Sequence, residues 1–432
     1  MPKVTILGAG SVGFTRTFLW ELVHAKKLGK ISISLMDIDE GRVKNAGRLA
    51  TKLARQSGRD IRVETTLDRR AALASADYVI NVTMIGGLAC RRSDMDVPMK
   101  YGLQQAIGCT MGPGGVMSGL RSIPFLLDVA QEMQELCPGA VMLNYHNPQS
   151  ASAQAWSRRS SVKYAGLCHS VPETSRELAG YVGCADMGEL DFHVAGINHM
   201  AWILRFEWNG KDAYPILRER MKDPEIYRRD RVRFEIFKHF GCFNTESSMH
   251  MSEYVPYFRR TDAMIKENHL PVREYVRLLE WAAEHAPKQM KQDLDPNTKI
   301  GMGPSDEAAV DIICAMESSE DCRSHVTVVN GGLIANLPAE AGVEVPTVFN
   351  RSGIHPEPVG RLPSPLAALN TTNLNVQQVM ANAVLEESRE LAIQAVMLDP
   401  LTASVMKLAE IRGMMLELFE AQANWLPPWL QN

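Results

Sequence analysis

The stretch "KVTILGAGSVGF" (3–14) places an apolar run directly before three glycines, Gly8, Gly10 and Gly13. The following segment, "TRTFLWELVHAKKL" (15–28), has apolar residues at helical spacing, and "KISISLMDID" (30–39) predicts a buried strand. The predicted order is therefore strand, glycine turn, helix and strand. Glycines at such a turn allow a pyrophosphate to approach the backbone at a helix N-terminus.

An acidic residue at the end of the second strand completes the pattern of a dinucleotide-binding unit. Asp37 follows Gly13 by 24 residues, and an acid about 20 residues after the glycines binds the ribose hydroxyls in such units. Asp39 is the second candidate. A glycine turn can also serve packing alone, but its place between a strand and a helix favours cofactor binding. The acid favours NAD over NADP, because its charge repels a 2′-phosphate.

The alternation of strands and helices continues along the first half of the chain. Strands are predicted in "ADYVINVTMIGG" (76–87), "AVMLNYHNP" (140–148) and "KYAGLC" (163–168), with a helix around 117–136. Strands separated by helices form a parallel, doubly wound sheet that binds ligands at the carboxyl ends of its strands. Thr83 is a further predicted cofactor contact at this edge. Other polar or reactive residues near the strand ends are Asn81, Asn144, Asn147 and Cys168.

The sequence pattern changes after about residue 185. "DFHVAGINHMAWILRFEWNG" (191–210) predicts extended segments that break at "GINHM", with a turn at its end. A polar helical stretch (211–300), strands within 325–350 and helices over 375–420 follow. We therefore predict an α/β protein with an N-terminal Rossmann-like domain (1–185) packed on a C-terminal mixed α+β domain (186–432). This plan is similar to that of lactate and malate dehydrogenases.

Composition limits the classes of partner. The 432 residues include 46 Lys and Arg against 50 Asp and Glu, a net charge of -4, so no basic surface for nucleic acid is expected. Apolar runs fall short of the roughly 18 residues of a membrane span. The first residues run straight into a strand without a signal-peptide pattern, and the eight cysteines show no repeating spacing. A cytoplasmic protein with reduced thiols, and without membrane or nucleic-acid partners, is expected.

Four segments carry side chains suited to chemistry. Cys168 and His199 offer one thiolate and one imidazole, which suit a borderline divalent metal with positions left open for substrate. Both residue types are also common as plain core residues. A thiol nucleophile paired with His169 is disfavoured, because neighbouring residues on a strand point in opposite directions. The segments are "GGLACRRSD" (86–94), "LNYHNP" (143–148), "GLCHS" (166–170) and "GINHM" (196–200).

A series of motifs resembles the family 4 glycoside hydrolases, and it runs in order from residue 3 to about 430. "GLCHSV" (166–171) with "AGINHMA" (195–201) is most similar to the melibiose-cleaving α-galactosidase branch of that family. NAD-dependent members of this family depart from the two-carboxylate scheme of other glycosidases. The other matching motifs are "ILGAGSVGF", "LMDID", "GCTMGPGG" followed by "LRSIP", "MLNYHNP" and "LPPWL".

The resemblance implies a redox mechanism. In this family NAD takes a hydride from C3 of the sugar, a base removes the C2 hydrogen, and the glycosidic oxygen leaves from C1. Water then adds and the hydride returns. A divalent metal, usually manganese, acts as a Lewis acid on the C2 and C3 oxygens. The resemblance thus implies NAD and Mn²⁺ as cofactors, an α-galactoside as substrate, and a homodimer or homotetramer.

The resemblance also assigns residues. The base in the family is a tyrosine from the second half, and Tyr254 in "FNTESSMHMSEYVPYF" (243–258) is the best match, with His250 and Tyr257 as alternatives. A tyrosine with a pKa near 10 needs a nearby cation to act as a base at neutral pH. The resemblance further implies that Cys168 and His199 are the metal ligands and that His169 is the acid. It implies that Asn147 and Arg91 contact the sugar.

Two positions depart from the galactosidase pattern. A carboxylate is expected where Cys109 stands, and an apolar residue where His146 stands. An α-uronide therefore stays open as substrate, with Arg91 or Arg92 pairing with its carboxylate. A 6-phosphosugar also stays open, although "CHSV" differs from the branches that cleave one. The alternatives outside the family mechanism are a metal-free NAD-dependent 2-hydroxy-acid dehydrogenase and an inactive NAD-binding sensor.

Overall fold

The computed structural model describes residues 1–303 and 305–431. The first half contributes six parallel strands, which pair in the order β3-β2-β1-β4-β5-β6. This is the strand order of a doubly wound nucleotide-binding fold, and its switch point lies between β1 and β4. The predicted parallel sheet is confirmed. The strands are β1 (Lys3–Leu7), β2 (Ile31–Met36), β3 (Ile61–Thr66), β4 (Tyr78–Asn81), β5 (Val141–Asn144) and β6 (Lys163–Gly166).

Helices connect these strands and cover the sheet. The helix predicted around 117–136 begins earlier, at Gly112, with Pro113 in its first turn, where proline is tolerated. Gly115 packs closely, since a Cβ there would lie 2.2 Å from the Thr110 carbonyl carbon. The strand predicted over 76–87 ends at Asn81, and a helix follows it. The helices are α1 (Val12–His24), α2 (Glu40–Ser57), α3 (Arg69–Leu73), α4 (Gly87–Lys100), α5 (Gly112–Leu136), α6 (Gln149–Arg159) and α7 (Ser170–Val182).

The second half extends the same sheet with antiparallel strands. The second half joins the sheet where Thr327 of β11 pairs with Gly166 of β6. From there the strand order continues β6-β11-β12-β7-β8-β10. The sheet thus runs across the proposed boundary, and the division into 1–185 and 186–432 stays a prediction. The strands are β7 (Leu190–Ile197), β8 (Met200–Trp208), β9 (Lys211–Asp212), β10 (Phe243–Asn244), β11 (Cys322–Val329), β12 (Gly342–Asn350) and β13 (Gly353–Pro356).

The helical regions predicted in the second half are present, although they are divided differently. The region 211–300 holds six helices interrupted by β10, and the C-terminal helices begin at Ser364 instead of 375. Among the described residues, no helix is long and apolar enough to cross a membrane. The helices are α8 (Tyr214–Arg220), α9 (Pro224–Arg229), α10 (Arg231–Phe240), α11 (Ser248–Met251), α12 (Asp262–Glu267), α13 (Glu274–Leu294), α14 (Ala309–Glu317), α15 (Ser364–Leu385), α16 (Arg389–Met397), α17 (Pro400–Val405) and α18 (Leu408–Ala421).

Two strand ends position the candidate site. Cys168 follows β6 by two residues, and His199 lies in the tight connection between β7 and β8 with a left-handed backbone, φ 65°. The predicted break at "GINHM" is therefore this turn, and the predicted turn at Asn209 and Gly210 joins β8 to β9. Because the two halves of the chain share one sheet, Cys168 and His199, which are 31 positions apart in sequence, meet at one edge of that sheet.

Candidate active site

The glycine turn after β1 is shaped by close backbone contacts. Gly8 has φ 85°, and a Cβ there would lie 2.9 Å from the backbone nitrogen and Cα of Thr83. The Gly10 N–H donates to Asp37 Oδ2 at 2.7 Å, which fixes the turn against the end of β2. Ser11, the residue before α1, makes no side-chain capping hydrogen bond. The first N–H groups of α1 are thus suited to an anionic pyrophosphate.

We expect Gly8→Ala to weaken NAD binding and to lower the melting temperature, because a side chain there is strained in φ and collides with the Thr83 backbone. Gly180→Ala, on α7, is the matched control, since its φ is not left-handed and the Cβ it would add meets open space. Isothermal titration calorimetry with NAD measures the change in affinity, and a thermal melt measures the change in melting temperature. An unchanged NAD affinity in Gly8→Ala would contradict this view of the turn.

A chain of polar side chains connects the ends of the central strands. The Thr83 hydroxyl donates to Asn81 Oδ1 at 2.8 Å, and Asn81 Nδ2 donates to Asn144 Oδ1 at 2.8 Å. Asn81 and Asn144 are buried at the ends of β4 and β5. The network holds Thr83 next to the glycine turn, at the position predicted for a cofactor contact.

Cys168 and His199 are brought into contact. The Cys168 Sγ lies 3.4 Å from His199 Nε2, and Glu246 Oε2 lies 3.5 Å from the same nitrogen. No sequence motif indicates a role for Glu246. Its only sequence signal was its place in the segment that carries Tyr254. The three side chains supply a sulfur, a nitrogen and an oxygen that lie within 4.8 Å of one another, which is a donor set suited to a divalent transition metal.

The other ring nitrogen of His199 is held by two hydroxyl groups. His199 Nδ1 lies 3.2 Å from the Tyr254 hydroxyl and 3.4 Å from Thr110 Oγ1. Burial lowers the pKa of His199 to about 3, so the ring is neutral at physiological pH. A proton assigned to Nδ1 can be donated to the hydroxyl oxygens, which leaves the Nε2 lone pair facing Cys168 and Glu246. Such partners orient the metal-binding histidines of other proteins.

The structure distinguishes the three candidates for the base. Tyr254 is buried beside His199, whereas Tyr257 is 45% exposed. His250 also belongs to the cluster: its ring centroid lies 4.5 Å from that of His199, and its Nδ1 lies 3.5 Å from Glu246 Oε1. Burial and the neighbouring Cys109 raise the pKa of Tyr254 well above its usual value. A cation at Cys168 and His199 would counter this shift and favour the phenolate.

His169, next to Cys168 in the chain, lies between two carboxylates. Its Nδ1 lies 3.6 Å from Glu307 and its Nε2 lies 3.8 Å from Glu173. The interaction with the Glu307 carboxylate raises the pKa of His169 to about 9, more than burial lowers it. The imidazole is therefore protonated near neutral pH, which suits a proton donor and does not suit the base of a Cys168 nucleophile.

The predicted sugar contacts Arg91 and Asn147 are joined through Ser118. The Arg91 guanidinium donates to Ser118 Oγ at 3.0 Å, and Ser118 donates to the Asn147 carbonyl at 3.2 Å. Within the described part of the chain, Arg91 Nε and Asn147 Oδ1 are buried without a hydrogen-bond partner. Buried polar atoms of this kind suit a polar ligand. Arg92, in contrast, is half exposed and pairs with Glu280.

The two departures from the galactosidase pattern are buried near the site. Cys109 Sγ lies 4.0 Å from His250 Nε2, so the thiol faces the histidine cluster. His146 directly precedes Asn147. Burial, together with the positive charges of Arg91 and Arg121, lowers the pKa of His146 to about 3. His146 is therefore a neutral group. Its Nδ1 is buried and makes no hydrogen bond among the described residues.

The residue set fits both groups that the fold implies. The glycine turn, Asp37 and Thr83 form an edge that could hold a dinucleotide, and Cys168, His199 and Glu246 offer ligands for a divalent metal. The sites lie at the carboxyl ends of β1, β2, β4 and β6, in the β7–β8 turn and just after β10. A sugar bound beside Tyr254 could thus meet a metal, an acid and a base together.

Comparison with known proteins identifies the family. Residues 3–184 match the model of the family 4 glycosyl hydrolases, and residues 194–402 match the model of the family 4 glycosyl hydrolase C-terminal domain. An α-galactosidase of Bacillus subtilis (strain 168) is 38% identical over 99% of this chain and 100% of its own length. The chain belongs to the family 4 glycosyl hydrolases. The resemblance expected from its motifs is confirmed.

Two further comparisons agree with the assignment of this family 4 glycosidase, one in sequence and one in fold. An α-galactosidase of Rhizobium meliloti (strain 1021) is 32% identical over 99% of this chain and 89% of its own length. A 6-phospho-α-glucosidase from gut microorganisms, solved in complex with NAD and Mn²⁺, has a TM-score of 0.84 at 21% identity and covers 99% of both chains.

The dehydrogenase-like plan is also confirmed. A malate dehydrogenase from Plasmodium falciparum has a TM-score of 0.53 at 14% identity and covers 90% of this family 4 glycosidase and 100% of its own chain. This likeness concerns the fold alone, so it lends no support to the alternative of a 2-hydroxy-acid dehydrogenase.

Proposed function

We propose that this family 4 glycosidase hydrolyses α-galactosides in a reaction that depends on NAD and Mn²⁺. The observation that carries the proposal is the contact of Cys168 with His199, whose other ring nitrogen contacts the buried Tyr254. Its relatives at 38% and 32% identity are α-galactosidases. A relative with the same fold was solved with NAD and Mn²⁺.

The residues of this chain have distinct proposed tasks. When bound at the glycine turn, NAD would supply a hydride acceptor, and Mn²⁺ held by Cys168 and His199 would supply a Lewis acid. Tyr254, which is buried and 3.2 Å from His199, removes the C2 proton. His169 donates a proton to the leaving oxygen on C1. Arg91 and Asn147, held together by Ser118, orient the sugar hydroxyls.

We expect His169→Ala to affect substrates according to their leaving group. With an alkyl α-galactoside, kcat/KM should fall by about 10²-fold or more, the usual contribution of a positioned acid. With a nitrophenyl α-galactoside the loss should be less than about tenfold, because nitrophenolate leaves without a proton. His239→Ala, which changes an exposed histidine beside Glu235, is the control. Equal losses for both substrates would argue against the role of His169 as acid.

Substrate choice is tested with a panel of α- and β-linked nitrophenyl glycosides that are neutral, uronic or 6-phosphorylated. The assays contain NAD, MnCl₂ and a thiol reductant. We expect the neutral α-galactoside to give the highest kcat/KM, and chelator to abolish its turnover. A preference for an α-galacturonide would move the proposal to the uronide alternative. Absence of turnover on the whole panel, with NAD still bound, would favour the sensor alternative.

A further inference from the structure

Glu246 is a largely buried carboxylate that lies between two histidines, His199 and His250. Its side chain is 16% exposed, Oε2 lies 3.5 Å from His199 Nε2, and Oε1 lies 3.5 Å from His250 Nδ1. In the described part of the chain it forms no ion pair with a lysine or an arginine. The charge of a buried carboxylate requires compensation, which His250 supplies at Oε1 only in its protonated form. A bound cation would supply it.

The backbone holds Glu246 in a defined position. The residue has a left-handed φ of 75°, which is uncommon for a side chain other than glycine. Its N–H donates to Thr174 Oγ1 at 3.2 Å, and the preceding Thr245 N–H donates to the Ala201 carbonyl at 2.8 Å. Ser247 caps α11 on the other side. The carboxylate is thus presented to His199 by a backbone that is fixed on both sides.

The distances around His199 Nε2 suit a shared ion. Metal ligands at about 2.0–2.3 Å from a divalent ion lie about 3–3.7 Å from one another. The Cys168 sulfur lies 3.4 Å from His199 Nε2 and the Glu246 oxygen lies 3.5 Å from it. One thiolate and one carboxylate together carry two negative charges. They match the charge of a divalent cation, and the neutral imidazole leaves that balance unchanged.

A second set of donors overlaps with the first. Cys109, His199 and His250 also bring their ligand atoms within 4.8 Å of one another. All three are buried, whereas Cys168 and Glu246 are partly exposed. Only a metal held by Cys168, His199 and Glu246 would therefore have positions open to a substrate. In addition, His199 Nδ1 is already engaged by Tyr254 and Thr110. The set with Glu246 is therefore the one suited to catalysis.

We propose that Glu246 is a third protein ligand of the divalent metal, beside Cys168 and His199. The proposal rests on the metal dependence proposed above. It goes beyond the two ligands that the sequence motifs indicate. It also explains why a carboxylate with a left-handed backbone lies in this position.

The test measures Mn²⁺ binding to the NAD-loaded enzyme by electron paramagnetic resonance. We expect Glu246→Gln to weaken Mn²⁺ binding by at least about tenfold, because the loss of partners that only support the ligands already costs about 10–100-fold. Glu246→Asp keeps the charge but shortens the reach, so it should also weaken binding. Glu225→Gln, which removes an exposed carboxylate on α9 that pairs with Arg229 outside the site, is the control for loss of charge alone and should change affinity by less than about threefold.

The outcomes separate the two proposals. If the parent enzyme binds no Mn²⁺, the proposed metal dependence is wrong. If the parent binds Mn²⁺ and Glu246→Gln binds it equally well, only the role of Glu246 is wrong. Retained NAD binding and an unchanged circular dichroism spectrum show that each variant is folded. A crystal structure of the Mn²⁺-soaked parent gives a result that needs no variant: a Glu246 oxygen in the coordination sphere supports the proposal, and its absence there contradicts it.

Discussion

Cys168→Ser is expected to lower kcat/KM for an α-galactoside by at least about 10³-fold, which corresponds to about 4 kcal/mol. The serine hydroxyl stays protonated near neutral pH, so the site loses an anionic sulfur ligand while its volume changes little. Burial already raises the pKa of the Cys168 thiol, so the metal itself must favour the thiolate. Steady-state kinetics over a range of MnCl₂ concentrations and a direct Mn²⁺ titration measure the loss.

The matched control for this change is Cys314→Ser, which alters a partly buried thiol on α14. It should keep both the turnover and the Mn²⁺ affinity of the parent within about twofold. Metal-dependent turnover that survives intact in Cys168→Ser would remove this residue from the metal site. A loss in Cys168→Ser that excess Mn²⁺ restores would still agree with a ligand role.

Tyr254→Phe should lower kcat by about 10²–10⁴-fold, the usual contribution of a positioned base. The change removes the hydroxyl that lies 3.2 Å from His199 Nδ1 and leaves the ring in its buried place. NAD should still bind, and Mn²⁺ affinity should fall by no more than about 10–100-fold, since the hydroxyl supports a ligand and does not bind the metal itself. The measurement is kcat together with exchange of the substrate C2 hydrogen in D₂O.

Tyr257→Phe is the natural comparison, because it changes another tyrosine of the same segment whose side chain is 45% exposed. It should retain the parent rate. The assignment of Tyr254 fails if Tyr257→Phe is the slower variant, or if Tyr254→Phe still exchanges the C2 hydrogen at the parent rate. His250 would then be the next candidate.

Much of the fold follows from local patterns in the sequence. The glycine turn, the acid after β2 and the spacing of apolar runs predict the parallel sheet, since each is decided by neighbours in the chain. The start of α5 was not predicted, because "GPGG" has the composition of a turn, whereas in the structure its proline lies in the first helical turn and Gly115 packs against Thr110. The junction of β6 with β11 joins Gly166 to Thr327, a pairing that sequence periodicity does not encode.

The candidate site shows a similar division. Motifs indicate Cys168 and His199 as a pair, and the structure brings them into contact. Motifs leave Tyr254 and Tyr257 unresolved because they lie three residues apart in an irregular segment, where only tertiary burial separates them. Glu246 was missed because carboxylates are common on surfaces, and its place beside His199 depends on a left-handed turn and on contacts to distant residues.

The central claim is that hydrolysis proceeds through removal of the C2 proton after oxidation at C3. It is tested most directly by running the reaction of the parent enzyme in D₂O with NAD and MnCl₂, and by analysing the released sugar by NMR and mass spectrometry. We predict one deuterium at C2 of the product and no turnover when NAD is omitted. A product that keeps its C2 hydrogen, formed at the same rate without NAD, would contradict the account.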